Sequence, residues 1–158
     1  MSMKNNGNDS EVKYKYSIDL SWYREQERSF ILLATSRLCP SSQKKKIPKT
    51  DTAIFNTMKQ CCSKSEDFIN PELPLAECIF RLFLANGNRP LSLQQIQARL
   101  QQSMSDISGS RDLSIPKLQR ILDSDRFYGL RIAEIEDEEE PNNNLLQEEP
   151  SNNSLQND

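Results

Sequence analysis

"LSIPKLQRILDSDRFYGLR", residues 113–131, is the passage on which the reading of the fold turns. Ser114 stands where an N-cap belongs, and Pro116 suits the first turn of a helix, where its missing N–H has no partner to lose. Ile115, Leu118, Ile121 and Leu122 recur at the spacing of one helical face. After "DSDR" the run "FYGLRIAEI" alternates like a half-buried strand, with Gly129 at a turn or bulge position. The inner face of this helix is core. Its outer face carries Lys117, Gln119 and Arg120, which need no core partner.

Upstream, Leu75, Ile79, Leu82 and Phe83 predict a helix over 75–85, stopped by "NGNRP" with Gly87 as its C-terminal cap. Ser92 followed by Gln95 is a capping-box pattern, opening a second helix that buries Leu93, Ile96 and Leu100. The polar loop "QQSMSDISGSRD" then leads to the third. Nearer the N-terminus, Tyr14, Tyr16, Ile18 and Leu20 alternate with polar residues, the period of a strand. From Asp19 or Ser21, "WYREQERSFILLATSRL" reads as a single helix with Trp22, Tyr23, Phe30, Leu33, Ala34 and Leu38 available for burial. Cys39-Pro40 ends it, because the proline ring disfavours helical geometry at the preceding residue. A basic loop with Lys44, Lys45, Lys46 and Lys49 follows, then a helix from Thr50 or Asp51 to near Cys62. The expected organisation is mainly α: a strand and two helices over 13–70, a three-helix and strand domain over 71–135, and disordered ends at 1–12 and 136–158.

Composition supports those ends. Apolar residues are 35% of the chain, against about 45–50% in an average globular domain, so the core is concentrated in part of it. Residues 136–158 are acidic, Asn-rich and free of aromatics, too poor in apolar surface to offset chain entropy. Residues 1–70 carry 12 basic and 8 acidic side chains, residues 71–135 carry 8 and 7, and residues 136–158 carry 0 and 8. The near-neutral total therefore hides a mildly basic body and a strongly acidic tail. No apolar run approaches the length of a membrane span, and no leader pattern opens the chain, so a cytoplasmic protein without a membrane partner is expected. Cys39, Cys61, Cys62 and Cys78 lack paired C-x2-C spacing, and the chain has no histidine. Ile54, Met58, Cys61 and Cys62 share one helical face, so core packing rather than a metal or other cofactor is the expectation for these thiols.

Three short helices, a tight turn, a longer loop and a strand with an aromatic start occur in the order of a winged helix-turn-helix. Residues 74–135 resemble that superfamily. The run L-x-x-I-L-D-S-D-R-F-Y-G-L-R over 118–131 looks like the junction of the HARE type, where the third helix passes into a strand through an Asp-Arg-Phe segment. The polar loop before the third helix is longer than in that type, and no second wing strand is evident. The resemblance implies a recognition helix whose Lys117, Gln119 and Arg120 face a DNA groove, with Arg111 before it and Arg126 and Arg131 beside the wing. Arg and Lys suit phosphate or guanine, and Gln suits adenine.

Two functions fit these residues. One is a non-catalytic DNA-binding accessory or regulatory factor, acting as a dimer or inside a larger assembly, with Lys44, Lys45 and Lys46 as further phosphate contacts and the acidic tail competing for the basic groups. The other is a protein-docking adaptor in which Trp22, Tyr23, Tyr14 and Tyr16, or the wing, present an apolar patch to a partner. Asp112, Asp123 and Asp125 at the ends of the third helix weigh against strong DNA binding. Catalysis is not expected. Without histidine there is no Ser-His or Cys-His pair, and no phosphate-binding glycine loop occurs.

Overall fold

The computed structural model describes residues 13–104 and 111–136. Both chain ends, and with them the disorder expected there, lie outside the described residues. The fold is mainly helical with a small three-stranded antiparallel sheet.

Strand β1 (Lys13–Ile18) is the middle of that sheet, between β2 (Leu91–Ser92) and β3 (Leu130–Glu136). It runs antiparallel to β2, with Lys15 opposite Ser92 and Tyr16 opposite Leu91. Asn88 extends the pairing with its side chain: its Nδ2 donates to the Ile18 carbonyl at 2.9 Å and its Oδ1 accepts the Ile18 N–H at 2.8 Å. Residues 13–70 and 71–135 thus share one sheet. They also share one core, in which Tyr16, Tyr23, Phe30, Ile54 and Met58 cluster with Phe80, Phe83, Ile96, Leu118 and Leu130. Lys13–Ile135 is one compact unit, with no break near residue 70.

The helix expected over residues 22–38 is instead two short ones, α1 (Leu20–Glu25) and α2 (Phe30–Thr35), and a third, α3 (Pro40–Gln43), occupies the start of the segment expected to be a basic loop. The reason is packing. Tyr23 and Phe30 rings meet edge to face with centroids 5.4 Å apart, whereas residues seven apart on an unbroken helix are separated by about 10 Å along its axis. Glu27, at φ 56°, makes the break. Its N–H donates to the Arg24 carbonyl and the Arg28 N–H to the Tyr23 carbonyl at 2.8 Å, a Schellman closure built without glycine. Ser29 then caps α2 by accepting the Leu32 N–H at 3.0 Å. Glu27→Gly is expected to raise stability by about 1 kcal/mol, since a left-handed residue with a Cβ is penalised by roughly that much; urea unfolding measures it, and no gain would mean that the Glu27 side chain compensates.

Helix α4 (Asp51–Gln60) starts at Thr50, whose hydroxyl accepts the Ala53 N–H. Helix α5 (Leu75–Ala85) ends at Gly87, φ 76°, with the Asn88 N–H on the Phe83 carbonyl. Helix α6 (Leu93–Ser103) opens with the full Ser92/Gln95 capping box, and α7 (Ile115–Ser124) turns Leu118 and Leu122 inward. Strand β3 begins at Leu130, three residues later than the alternation suggests. The intervening turn is held by Asp125, whose carboxylate accepts the N–H groups of Phe127, Tyr128 and Leu130.

One buried ionic group ties these parts together. The Glu77 side chain, on α5, accepts Arg37 Nε and Nη2 at 2.8 and 2.7 Å, Arg81 Nε at 2.7 Å and the Tyr128 hydroxyl at 2.7 Å. Burial alone would raise its pKa, but the hydrogen bonds from Arg37, Arg81 and Tyr128 outweigh it and hold the carboxyl at about 2.

Candidate functional site

The basic residues expected around α7 divide into spent, half-buried and exposed. Arg111 is spent: its Nη1 donates to the carbonyls of Pro71 and Leu73, both at 2.6 Å, tethering the loop before α5. Arg131 is half-buried, with its guanidinium 5.6 Å from the Trp22 ring centroid. Lys117 is also half-buried. Gln119, Arg120 and Arg126 are exposed, as are Lys44, Lys45 and Lys46 after α3.

The acids at the ends of α7 have backbone work. Asp112 accepts the Ser114 N–H at 3.0 Å, and the Ser114 backbone and hydroxyl, with Lys117 and Arg120 nearby, hold its carboxyl below the usual range. Asp125 closes the turn described above. Their charge is partly answered before any phosphate arrives.

The aromatic patch is a correction. Trp22, Tyr23 and Tyr16 are core residues, at 7%, 1% and 2% exposure, and only Tyr14 of that set is exposed, so they form no docking surface. Strand alternation placed Tyr16 correctly on a buried face. Trp22 and Tyr23 are drawn in because α1 packs over the turn before β3, where the Tyr23 hydroxyl donates to the Tyr128 carbonyl at 2.6 Å.

A concave basic surface lies elsewhere. A cleft of about 410 Å³ is bordered by Lys59 at the end of α4, Arg89 before β2 and Arg99 on α6, with Asn86 and Gln95 between them. No carboxylate lines it among the described residues. Asn86 fixes Arg89 by accepting its N–H at 3.1 Å and donating to its carbonyl at 3.3 Å. Three cations without an acid between them raise the local potential for an anion. Lys59, Arg89 and Arg99 were not legible as a set because they come from three elements joined only by the fold.

A second cluster is made of thiols. The sulfur atoms of Cys39, Cys61 and Cys62 lie within 4.8 Å of one another. Cys61, expected on the buried face of α4, follows the last helical residue and is only half-buried, while Cys62 is buried.

No protein-family model, curated protein or solved structure matches this chain. No helix among the described residues is long and apolar enough to cross a membrane.

Proposed function

We propose that this chain is a non-catalytic, cytoplasmic DNA-binding accessory factor of winged-helix type, gripping phosphates through the Lys59/Arg89/Arg99 cleft. The observation that carries this reading is that cleft: three cations on one concave surface with no acid among its lining residues. The succession α5, β2, α6, α7, β3 supports the winged-helix part, with β1 as the strand that pairs with β3. Gln119, Arg120 and Arg126 on the exposed side of α7 and its turn are the groups left to touch bases or further phosphates.

Anisotropy of labelled random duplex DNA tests it. About three phosphate contacts predict a slope of log K against log salt of about −3, following −0.9 per phosphate. Reversal of the cleft charges (Lys59→Glu, Arg89→Glu, Arg99→Glu) is expected to weaken binding at least about 10-fold with the circular dichroism unchanged. Unchanged affinity would remove the cleft from the account, and no binding by the intact chain at tens of micromolar would end the DNA reading. A chain ending at Ile135 should bind more tightly, because the tail removed carries eight acids and no base.

A further inference from the structure

The fold brings together three thiols that sequence spacing keeps apart. Cys39 is the N-cap of α3, Cys61 the C-cap of α4, and Cys62 starts the 3-10 turn Cys62–Lys64. Cys39 Sγ is 3.4 Å from Cys61 Sγ, and the Cys39 N–H donates to Cys62 Sγ at 3.1 Å. Two hydroxyls complete the shell. Ser41 Oγ lies 3.5 Å from the sulfurs of both Cys39 and Cys61, and Ser42 Oγ, itself buried, lies 3.4 Å from Cys39 Sγ and 3.7 Å from Cys62 Sγ.

Core packing explains Cys62 but not the group. Two of the three sulfur residues are half-buried, so the cluster opens to solvent on one side. Three sulfurs bound to one ion at about 2.3 Å sit about 4 Å from one another, and the observed spacing needs little adjustment to reach that.

We propose that Cys39, Cys61 and Cys62 form a three-thiolate site for one soft metal ion, Cu(I) in preference to Zn(II). The preference follows from the donors. Structural zinc takes four strong ligands, and no fourth Cys, His or carboxylate joins this cluster among the described residues. Ser41 and Ser42 offer only neutral hydroxyl oxygens, whereas Cu(I) is selected by soft thiolates and accepts three. Loading displaces the thiol protons to solvent and changes no oxidation state. It also clamps α3 to the end of α4, next to the basic loop that holds Lys44, Lys45 and Lys46.

The test uses the full, reduced chain without oxygen, titrated with Cu(I) against a chromogenic Cu(I) chelator and separately with Zn(II). One equivalent of Cu(I) per chain is expected, with a near-ultraviolet thiolate-to-copper band. Cys39→Ser and Cys61→Ser, both at half-exposed positions, should lower Cu(I) affinity by more than the roughly 10–100-fold that follows loss of an outer-shell partner. Cys78→Ala, outside the cluster, should leave uptake intact, which separates ligand loss from misfolding. Absence of stoichiometric uptake, full uptake by both serine variants, or Zn(II) displacing Cu(I) from the site would each overturn the assignment.

Discussion

Glu77→Ala is expected to cost about 3–5 kcal/mol of folding stability, the range for removing one partner of a buried ionic group. Arg37 and Arg81 keep side-chain exposures of only 14% and 21%, so their charges would be left largely unpaired and poorly hydrated. The Tyr128 hydroxyl would lose its acceptor as well. Arg37 comes from the segment after α2, Arg81 from α5 and Tyr128 from the turn before β3, so one carboxylate holds three parts of the fold. The sign of the pH dependence follows from the depressed pKa. A carboxyl held at about 2 rather than the ordinary 4.5 contributes fully above that ordinary value, on the order of 3 kcal/mol at 1.36 kcal/mol per unit. The contribution is lost as pH falls through the interval between the two values. Urea unfolding of the parent chain and of Glu77→Gln at pH 7, 5, 4 and 3 isolates it from the other carboxylates. The two curves should converge at low pH; a constant gap would show that Glu77 does not titrate in this interval.

Local signals and long-range ones fared differently in this sequence. Thr50, Ser92 with Gln95, and Gly87 act on groups within a few residues, and each ends or starts a helix where the local pattern places it. The break at Glu27 had a weaker signal: with Tyr23 and Phe30 facing inward, Gln26 and Glu27 occupy positions where a continuous buried stripe needs an apolar residue. Sheet membership of β1 had none, since alternation shows that a strand is half-buried and says nothing about its neighbours. The same limit governs the sites. Arg111 and Arg120 carry the same charge in the sequence, yet Arg111 is consumed by two carbonyls of a distant loop. Lys59, Arg89 and Arg99 meet only after α4, α5 and α6 have packed, and Cys39 meets the Cys61–Cys62 pair only where α3 lies against the end of α4.

Gly129→Ala should be the other severe change, costing about 2–5 kcal/mol. Gly129 sits at φ 74°, where a Cβ is penalised by roughly 1–2 kcal/mol for any L residue. Here the Cβ would also fall 2.8 Å from Tyr23 Cε1 and 2.9 Å from Trp22 Cε3. Neither ring has room to retreat: Tyr23 is tied by its hydroxyl to Tyr128 and packs edge-on against Trp22 at 5.1 Å and Phe30 at 5.4 Å. Overpacking of this kind adds about 1–3 kcal/mol. A melting temperature lower by on the order of 10 °C follows for a domain of this size. Trp22 is the only tryptophan in the chain, so its fluorescence reports the displacement directly. Gly87→Ala is the control, since Gly87 has nearly the same backbone angle, φ 76°, and nothing within 4 Å of its Cβ position. It should lose only the conformational part. Equal losses at the two glycines would mean that the ring contacts yield freely, and that α1 is not packed against the β3 turn as tightly as the Tyr23–Tyr128 hydrogen bond requires.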